Sequence, residues 1–256
     1  MTGFERVDIL GCPFDAVSFS ETASAVEAAV RDGEWLQVVP GNVDFVMKAR
    51  RNPSFAEELR RADLIVADGV PITWAAALLG VPLRGRVSGT DLVWECARVS
   101  SMSGAPVALV GGAPGVTHRA VRRMQERYPG SRLHALETPT PLDEEASMEV
   151  ADRIRRLGAA VVLVALGAPR QERWVQRYAR PSGASVGIGV GSAFDIISGD
   201  QPRAPAFIRD RGLEWFHRML LDPRRLVRRY LIEDSPFILH LLREVVRRRM
   251  PGREAP

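Results

Sequence analysis

Six short runs of apolar and β-branched residues punctuate the chain, at 35–40, 62–68, 106–112, 131–137, 159–167 and 185–191. They read WLQVVP, ADLIVAD, PVALVGG, SRLHALE, AAVVLVALG and SVGIGVG, and most are apolar throughout rather than alternating. A strand with no polar face needs cover on both sides, which antiparallel sheets with one wet face do not provide. Between the runs, residues 23–30, 53–61, 115–128, 144–157 and 171–179 carry apolar side chains at three- and four-residue spacing, the period of helices that bury one stripe. Strands alternating with amphipathic helices predict an α/β fold with a mostly parallel sheet and helices on both faces.

The pattern stops after Gly199, beyond which no strand-like run occurs. Residues 1–199 are therefore read as the core and 200–256 as a helical C-terminal appendage. The net charge of +4 hides an asymmetry, because residues 203–253 hold thirteen arginines against six acidic residues, which leaves the core net acidic. Lys48 is the only lysine, so nearly every cation is a guanidinium, whose planar fork suits phosphate oxygens. The last segment, PFILHLLREVVRRRM, places Phe237, Ile238, Leu241, Leu242 and Val245 on one stripe with Arg243 and Arg247 to Arg249 largely off it. Such a helix covers a core, lies on an anionic membrane surface or docks a partner protein, and sequence leaves all three open. No nucleic-acid partner is expected, since the core is acidic and carries no recognised nucleic-acid module. Whether copies form a homo-oligomer is left open.

Cys12 and Cys96 match no metal or redox spacing and read as small buried hydrophobes in a reducing compartment. The start, MTGFERVDILG, lacks the basic opening and apolar stretch of a secretory signal. The longest apolar stretches fall short of the roughly 20 residues that span a bilayer. A cytoplasmic location, peripheral at the inner face of the cell membrane, is the expectation.

Ligands of open α/β sheets bind beyond the carboxyl ends of the strands, which directs attention to the residues that follow each run. Asn42 follows the first. Asp68 and Gly69 close the second, and a carboxylate there is either a base or a turn and N-cap residue. Gly111, Gly112 and Gly115 follow the third, either as a phosphate-cradling loop or as a tight turn. Glu137, at the end of the fourth, occupies the region of a ribose-binding acid and keeps a dinucleotide-dependent oxidoreductase in play, as the amphipathic C-terminus does a non-catalytic membrane scaffold. In GAPRQE, Gln171, Glu172 and Arg173 are read as facing one edge from a first helical turn, and Gln171 can both donate to and accept from a sugar hydroxyl. Asp195 follows the last run. Arg203, Arg209, Arg211, Arg218, Arg224, Arg225, Arg228 and Arg229 then form a basic set with Trp215, Phe216 and Tyr230 interleaved.

Nine ordered blocks between residues 42 and 230 carry a more specific message: GNVDFVMKARRNP, ADLIVADGVPITWAA, RVSGTDL, ALVGGAPGV, YPG, LGAPRQE, GVGSAFDIISGDQPRAP, GLEWFHR and RRLVRRY. In these the chain resembles the WecG/TagA/CpsF glycosyltransferases, bacterial enzymes of surface polysaccharide and teichoic acid synthesis. The resemblance implies a Rossmann-like core and inverting transfer from a UDP-sugar to an undecaprenyl-diphosphate-linked acceptor. It implies no metal or other cofactor, and no DxD is present. It implies Asp68 as the general base, with Asn42, Arg86 and Gln171 holding acceptor or donor groups near it and Asp195 meeting the nucleotide; Gly69, Gly111 and Gly112, from the strand-end reading, are the further substrate-binding candidates. Arg218, Arg225 and Arg228 would stabilise the departing diphosphate from the appendage. Two positions depart from the pattern. Pro40 stands where many members have Thr, removing a hydroxyl next to the Asn42 block, and Arg170 replaces a Lys. The transferred sugar, whether N-acetylmannosamine-like or glucose- or glucuronic acid-like, is therefore not specified.

Overall fold

The computed structural model describes residues 3–205, 208, 217, 219 and 233–249. The chain opens with a hairpin of β1 (Arg6–Ile9) and β2 (Cys12–Asp15), joined through Leu10 and Gly11, both at positive φ. Positive φ at both central positions gives the mirror-image turn that matches strand twist. The sequence reading has no strand here, because each arm is only four residues long and Leu-Gly lacks the Asn or Asp that usually marks such a turn.

The six apolar runs become the six strands of one sheet: β3 (Leu36–Gly41), β4 (Leu64–Ala67), β5 (Val107–Gly111), β6 (Leu133–Leu136), β7 (Val161–Ala165) and β8 (Val186–Gly189). Their order is β4-β3-β8-β7-β5-β6 and every pairing is parallel. Residues facing one side, among them Val38, Leu64, Leu109, Leu163 and Ile188, pack under α1 (Phe19–Asp32), α5 (Gly89–Ser103), α6 (Val116–Arg127) and α9 (Ala193–Ser198). On the other side Val39, Ile65 and Ala67 pack with the hairpin and with α2 (Val43–Arg51), α3 (Pro53–Arg61) and α4 (Val70–Leu78). Further along that side, Ala108, Val110, Val162 and Val164 meet α7 (Glu144–Leu157) and α8 (Arg170–Trp174), which runs into a π-helical turn at Val175–Ala179. This is a Rossmann-like α/β sandwich.

The periodic stretches omit four helices, α2, α4, α5 and α9, and place one helix start late. Ser18 and Glu21 form a reciprocal capping box, which starts α1 four residues before its apolar stripe becomes visible. α4 is apolar on nearly every side, so it carries no helical period to detect.

α10 (Pro236–Arg249) confirms a helix at the C-terminal segment but divides its stripe. Phe237 and Leu241 are buried against the hairpin side of the core and Val245 packs beside them. Ile238 and Leu242, one position round the helix, are 63% and 56% exposed. At about 100° per residue the five span about 140° of the helix, and the core covers only the edge of that stripe that carries Phe237, Leu241 and Val245. The outer apolar row is Ile238, Leu239, Leu242 and Val246. Among the described residues no helix is long and apolar enough to cross a membrane. Cys12 and Cys96 are both free and buried, and burial pushes each thiol up to about 12.

Candidate active site

The carboxyl ends of the parallel strands bring Asn42, Asp68, Gly111 and Gly112 to one edge, and Gln171 and Asp195 lie in the first turns of the helices that follow β7 and β8. Asp68 follows β4 and Gly111 ends β5, four strand positions apart in the sheet, or roughly 19 Å at ordinary strand spacing. A single ligand reaching both must be elongated and lie along the edge.

Asp68 is half-buried, its N–H bonded to Gly41 O at 2.8 Å. Its Oδ2 accepts the Gly89 N–H at 3.3 Å. Asp68 thus faces the first turn of α5, where the helix dipole favours a negative charge, and not its own helix. The N-cap of α4 is Gly69, at φ 135°, and receives no side-chain bond. Val87 N–H donates to Ala67 O, which draws the segment carrying Arg86 alongside Asp68. Asn42 caps α2, its Oδ1 accepting from Phe45 N–H at 3.4 Å. The cap engages the amide oxygen and leaves the Nδ2 donors to a ligand.

Pro40 stands two residues before Asn42, paired with Val66 of β4. β3 pairs with β8 only over Leu36–Val38, so at Pro40 the strand has a neighbour on the β4 side alone and the missing N–H is tolerated. A Cβ built on Gly89 would lie 3.5 Å from the Pro40 ring and 3.6 Å from Asp68 Oδ2. The Pro40 ring and the Asp68 carboxylate thus both flank the start of α5 at Gly89, and the ring stands where a hydroxyl was expected.

The glycine loop after β5 is tightly built. Gly111 and Gly112 have φ near 88° and 84°. The Thr117 hydroxyl donates to Gly111 O, and Gly112 N–H reaches Ala165 O at 3.2 Å. Glu137 accepts the Gly115 N–H at 2.6 Å, so this carboxylate serves the start of α6. A Cβ on Gly111 would stand 2.8 Å from Ala165 O. Gly111→Ala is accordingly expected to cost at least about 2 kcal/mol, from the disfavoured φ and the backbone clash together. A urea titration would show the lowered midpoint, and an unchanged midpoint would refute it.

The GAPRQE turn divides its side chains. Gln171 and Glu172 are both 2% exposed, whereas Arg173 turns out to Glu58 and Ser54 of α3. The three residues do not face one edge, since consecutive helical positions diverge. Gln171 Oε1 accepts from Gly167 N–H and from Gly191 N–H, each at 3.1 Å. Its Nε2 donates to Glu172 Oε1 at 2.7 Å. Burial pushes the Glu172 carboxyl up to about 7, against the smaller opposing pull of its hydrogen bonds and of Lys48. Lys48 itself bridges Asp44 at 2.7 Å and Ala168 O at 3.0 Å, tying α2 to the loop that holds the cis Ala168–Pro169 bond. The sequence reading gives Glu172 only a place at the edge beside Gln171 and Arg173, and gives Lys48 no role. A lone acid inside an otherwise apolar helical face was the available signal for the first, and nothing local marked the second.

Asp195 lies in the first turn of α9, beyond β8. Arg218, Arg225 and Arg228 lie outside the described residues. Two clefts occur elsewhere. One of about 510 Å³ lines the β6 side with His118, His134, Arg153 and Arg156, at the opposite edge of the sheet from Asp68. The other, about 300 Å³, lies between α7 and α8 beside Arg170 and Trp174.

With this geometry in place, comparison with known proteins is decisive. The sequence model of the glycosyl transferase WecG/TagA/CpsF family matches residues 7–251. The chain belongs to that family. It is a glycosyltransferase. Relatives include an N-acetylglucosaminyldiphosphoundecaprenol N-acetyl-beta-D-mannosaminyltransferase of Staphylococcus aureus strain NCTC 8325 / PS 47, 27% identical over 245 residues that cover 95% of this chain and 94% of the relative. The protein of the same name from strain MRSA252 is 27% identical over the same length. The match to the family runs through the hairpin and α10 as well as the sheet.

Proposed function

We propose that this enzyme transfers a sugar from a UDP-sugar to a hydroxyl of an undecaprenyl-diphosphate-linked sugar, with inversion and without a metal. The observation that carries the reading is the placement of Asp68. It sits at the carboxyl end of β4, held by Gly89 N–H, with Asn42 on the neighbouring strand and the Arg86 segment alongside. In a single displacement the acceptor oxygen bonds to the anomeric carbon as the bond to the diphosphate breaks. The acceptor proton passes to Asp68 and the electron pair leaves with UDP. One displacement inverts the anomeric centre.

The roughly 19 Å between Asp68 and the β5 glycines suits a nucleotide diphosphate lying along the edge, with the sugar toward Asp68 and the nucleotide toward Gly111, Gly112 and Asp195. Charge building on the departing diphosphate needs a cation. The family's pattern assigns that to Arg218, Arg225 and Arg228, guanidinium groups able to bond two phosphate oxygens each. The outer row of α10, apolar and flanked by Arg243, Arg247 and Arg249, fits a membrane surface that presents a lipid-linked acceptor. The names of the Staphylococcus aureus relatives point to an N-acetylglucosaminyl-bearing acceptor and an N-acetylmannosaminyl donor group. Pro40, flanking Gly89 together with Asp68, is the feature here that would shift that choice, toward a sugar asking for less hydrogen bonding at this point.

A panel of UDP-sugars incubated with an undecaprenyl-diphosphate-sugar analogue, in buffer with and without EDTA, tests the proposal. One added sugar by mass spectrometry, release of UDP and insensitivity to EDTA are expected. No product from any UDP-sugar would overturn the donor class, and loss of product with EDTA would overturn metal independence.

A further inference from the structure

Gln171 is fully engaged from two sides. Its oxygen accepts the N–H of Gly167, which opens the turn after β7, and the N–H of Gly191, which follows β8. The two donors call for the oxygen end of the amide, and the nitrogen end then needs an acceptor on the opposite side. Glu172 Oε1, 2.7 Å from Nε2, is an acceptor that only the nitrogen end can satisfy. The space for this pair exists because Gly189 has no side chain: a Cβ there would lie 2.6 Å from Glu172 Oε1 and 2.7 Å from Gln171 Nε2. A second layer fixes the backbone below. Gln37 of β3 donates to Glu172 O at 3.4 Å and accepts from Gln176 at 3.0 Å, which holds α8 down on the sheet.

We propose that Glu172 is a positioning residue: its carboxyl oxygen sets the Gln171 amide in the orientation that ties the Gly167 turn to the Gly191 turn, and so fixes the floor of the transfer site. The consequence for transfer rests on the function proposed above, whereas the clamp itself does not. The Gly191 turn leads directly into α9 and Asp195, and the Gly167 turn is held from the other side by Lys48 through Ala168 O. One amide therefore links the two turns to each other. The charged groups around Glu172 are Lys48, paired with Asp44 on α2, and Glu58 of α3, paired with Arg173. β8 contributes glycine and β3 contributes the neutral Gln37. Glu172 Oε2 is buried and has no hydrogen-bond partner among the described residues, so Oε1 is the oxygen that receives the amide.

The test uses the full-length ¹⁵N-labelled protein. In the wild type, the amide resonances of Gly167 and Gly191 should shift together as Glu172 titrates, because the Gln171 amide passes its polarisation to both N–H groups. Glu172→Gln keeps an acceptor oxygen but no proton to lose, so both resonances should stay still with both amides protected from exchange. Glu172→Leu should expose the two amides to exchange at least about tenfold faster and lower kcat/KM for transfer by a similar factor, a loss that Glu172→Gln recovers. Unaltered protection in Glu172→Leu, or identical titration of the glycines in Glu172→Gln, would overturn the clamp. Should Glu172→Leu not fold, the wild type against Glu172→Gln decides. If the wild type transfers from no donor, the proposed function has failed and the amide readouts still judge Glu172.

Discussion

Asp68→Asn should lower kcat for sugar transfer roughly 100- to 10,000-fold, the range ordinarily supplied by a positioned general base. The amide is nearly isosteric, and its oxygen can still accept the Gly89 N–H that Asp68 Oδ2 holds at 3.3 Å. The start of α5 and the Val87–Ala67 backbone bond beside it are therefore retained. What the amide cannot do is take a proton from the attacking hydroxyl. Loss should appear in kcat and in kcat/KM together, because an interaction made only in the transition state is removed. UDP affinity by calorimetry should change by less than about threefold, since the nucleotide is placed toward the β5 glycines, several strands away. Retained turnover in Asp68→Asn would remove Asp68 from the mechanism. A collapse of UDP binding would instead make its role one of holding the donor.

The sheet was legible because a strand buried on both faces has to be apolar throughout, and six such runs have few other uses. The same rule hid α4, whose apolar residues all round show no period, and the hairpin, whose arms are four residues each. Candidate site residues were legible by position, since every one of Asn42, Asp68, Gly111 and Gln171 follows an apolar run. Their partners were not. The bond from Gly89 to Asp68 spans 21 residues and that from Gly191 to Gln171 spans 20, and neither follows from local spacing. Glu137 shows the limit most clearly. At the end of β6 it occupies the place of a ribose-binding acid, but the adjacency of β6 to β5 turns its carboxylate onto Gly115 N–H. α10 was visible as amphipathic, yet sequence could not say which apolar residues face the core, because one helix can present Phe237 and Leu241 inward and Ile238 and Leu242 outward.

Glu172 also makes the stability of the enzyme depend on pH in a direction opposite to that of most carboxylates. An acid in a salt bridge is held low and stabilises the fold above its ordinary range. Glu172 is held high, moved by burial from an ordinary value of 4.5 to about 7. Between those two values the folded protein keeps a proton that the unfolded chain has released, so stability falls as pH rises. The contribution is fully present below the ordinary value, is lost progressively up to the folded value, and is level above it. A displacement of that size corresponds to about 3 kcal/mol. Glu172→Gln is neutral at every pH and retains the oxygen that accepts from Gln171. It should therefore match the wild type near pH 4 and exceed it by up to about 3 kcal/mol at pH 8, a difference in which the other titrating groups cancel. Urea midpoints of the two proteins at both pH values measure it. A gap that does not widen with pH would mean that the Glu172 carboxyl titrates at its ordinary value, with Lys48 and the Gln171 amide offsetting its burial.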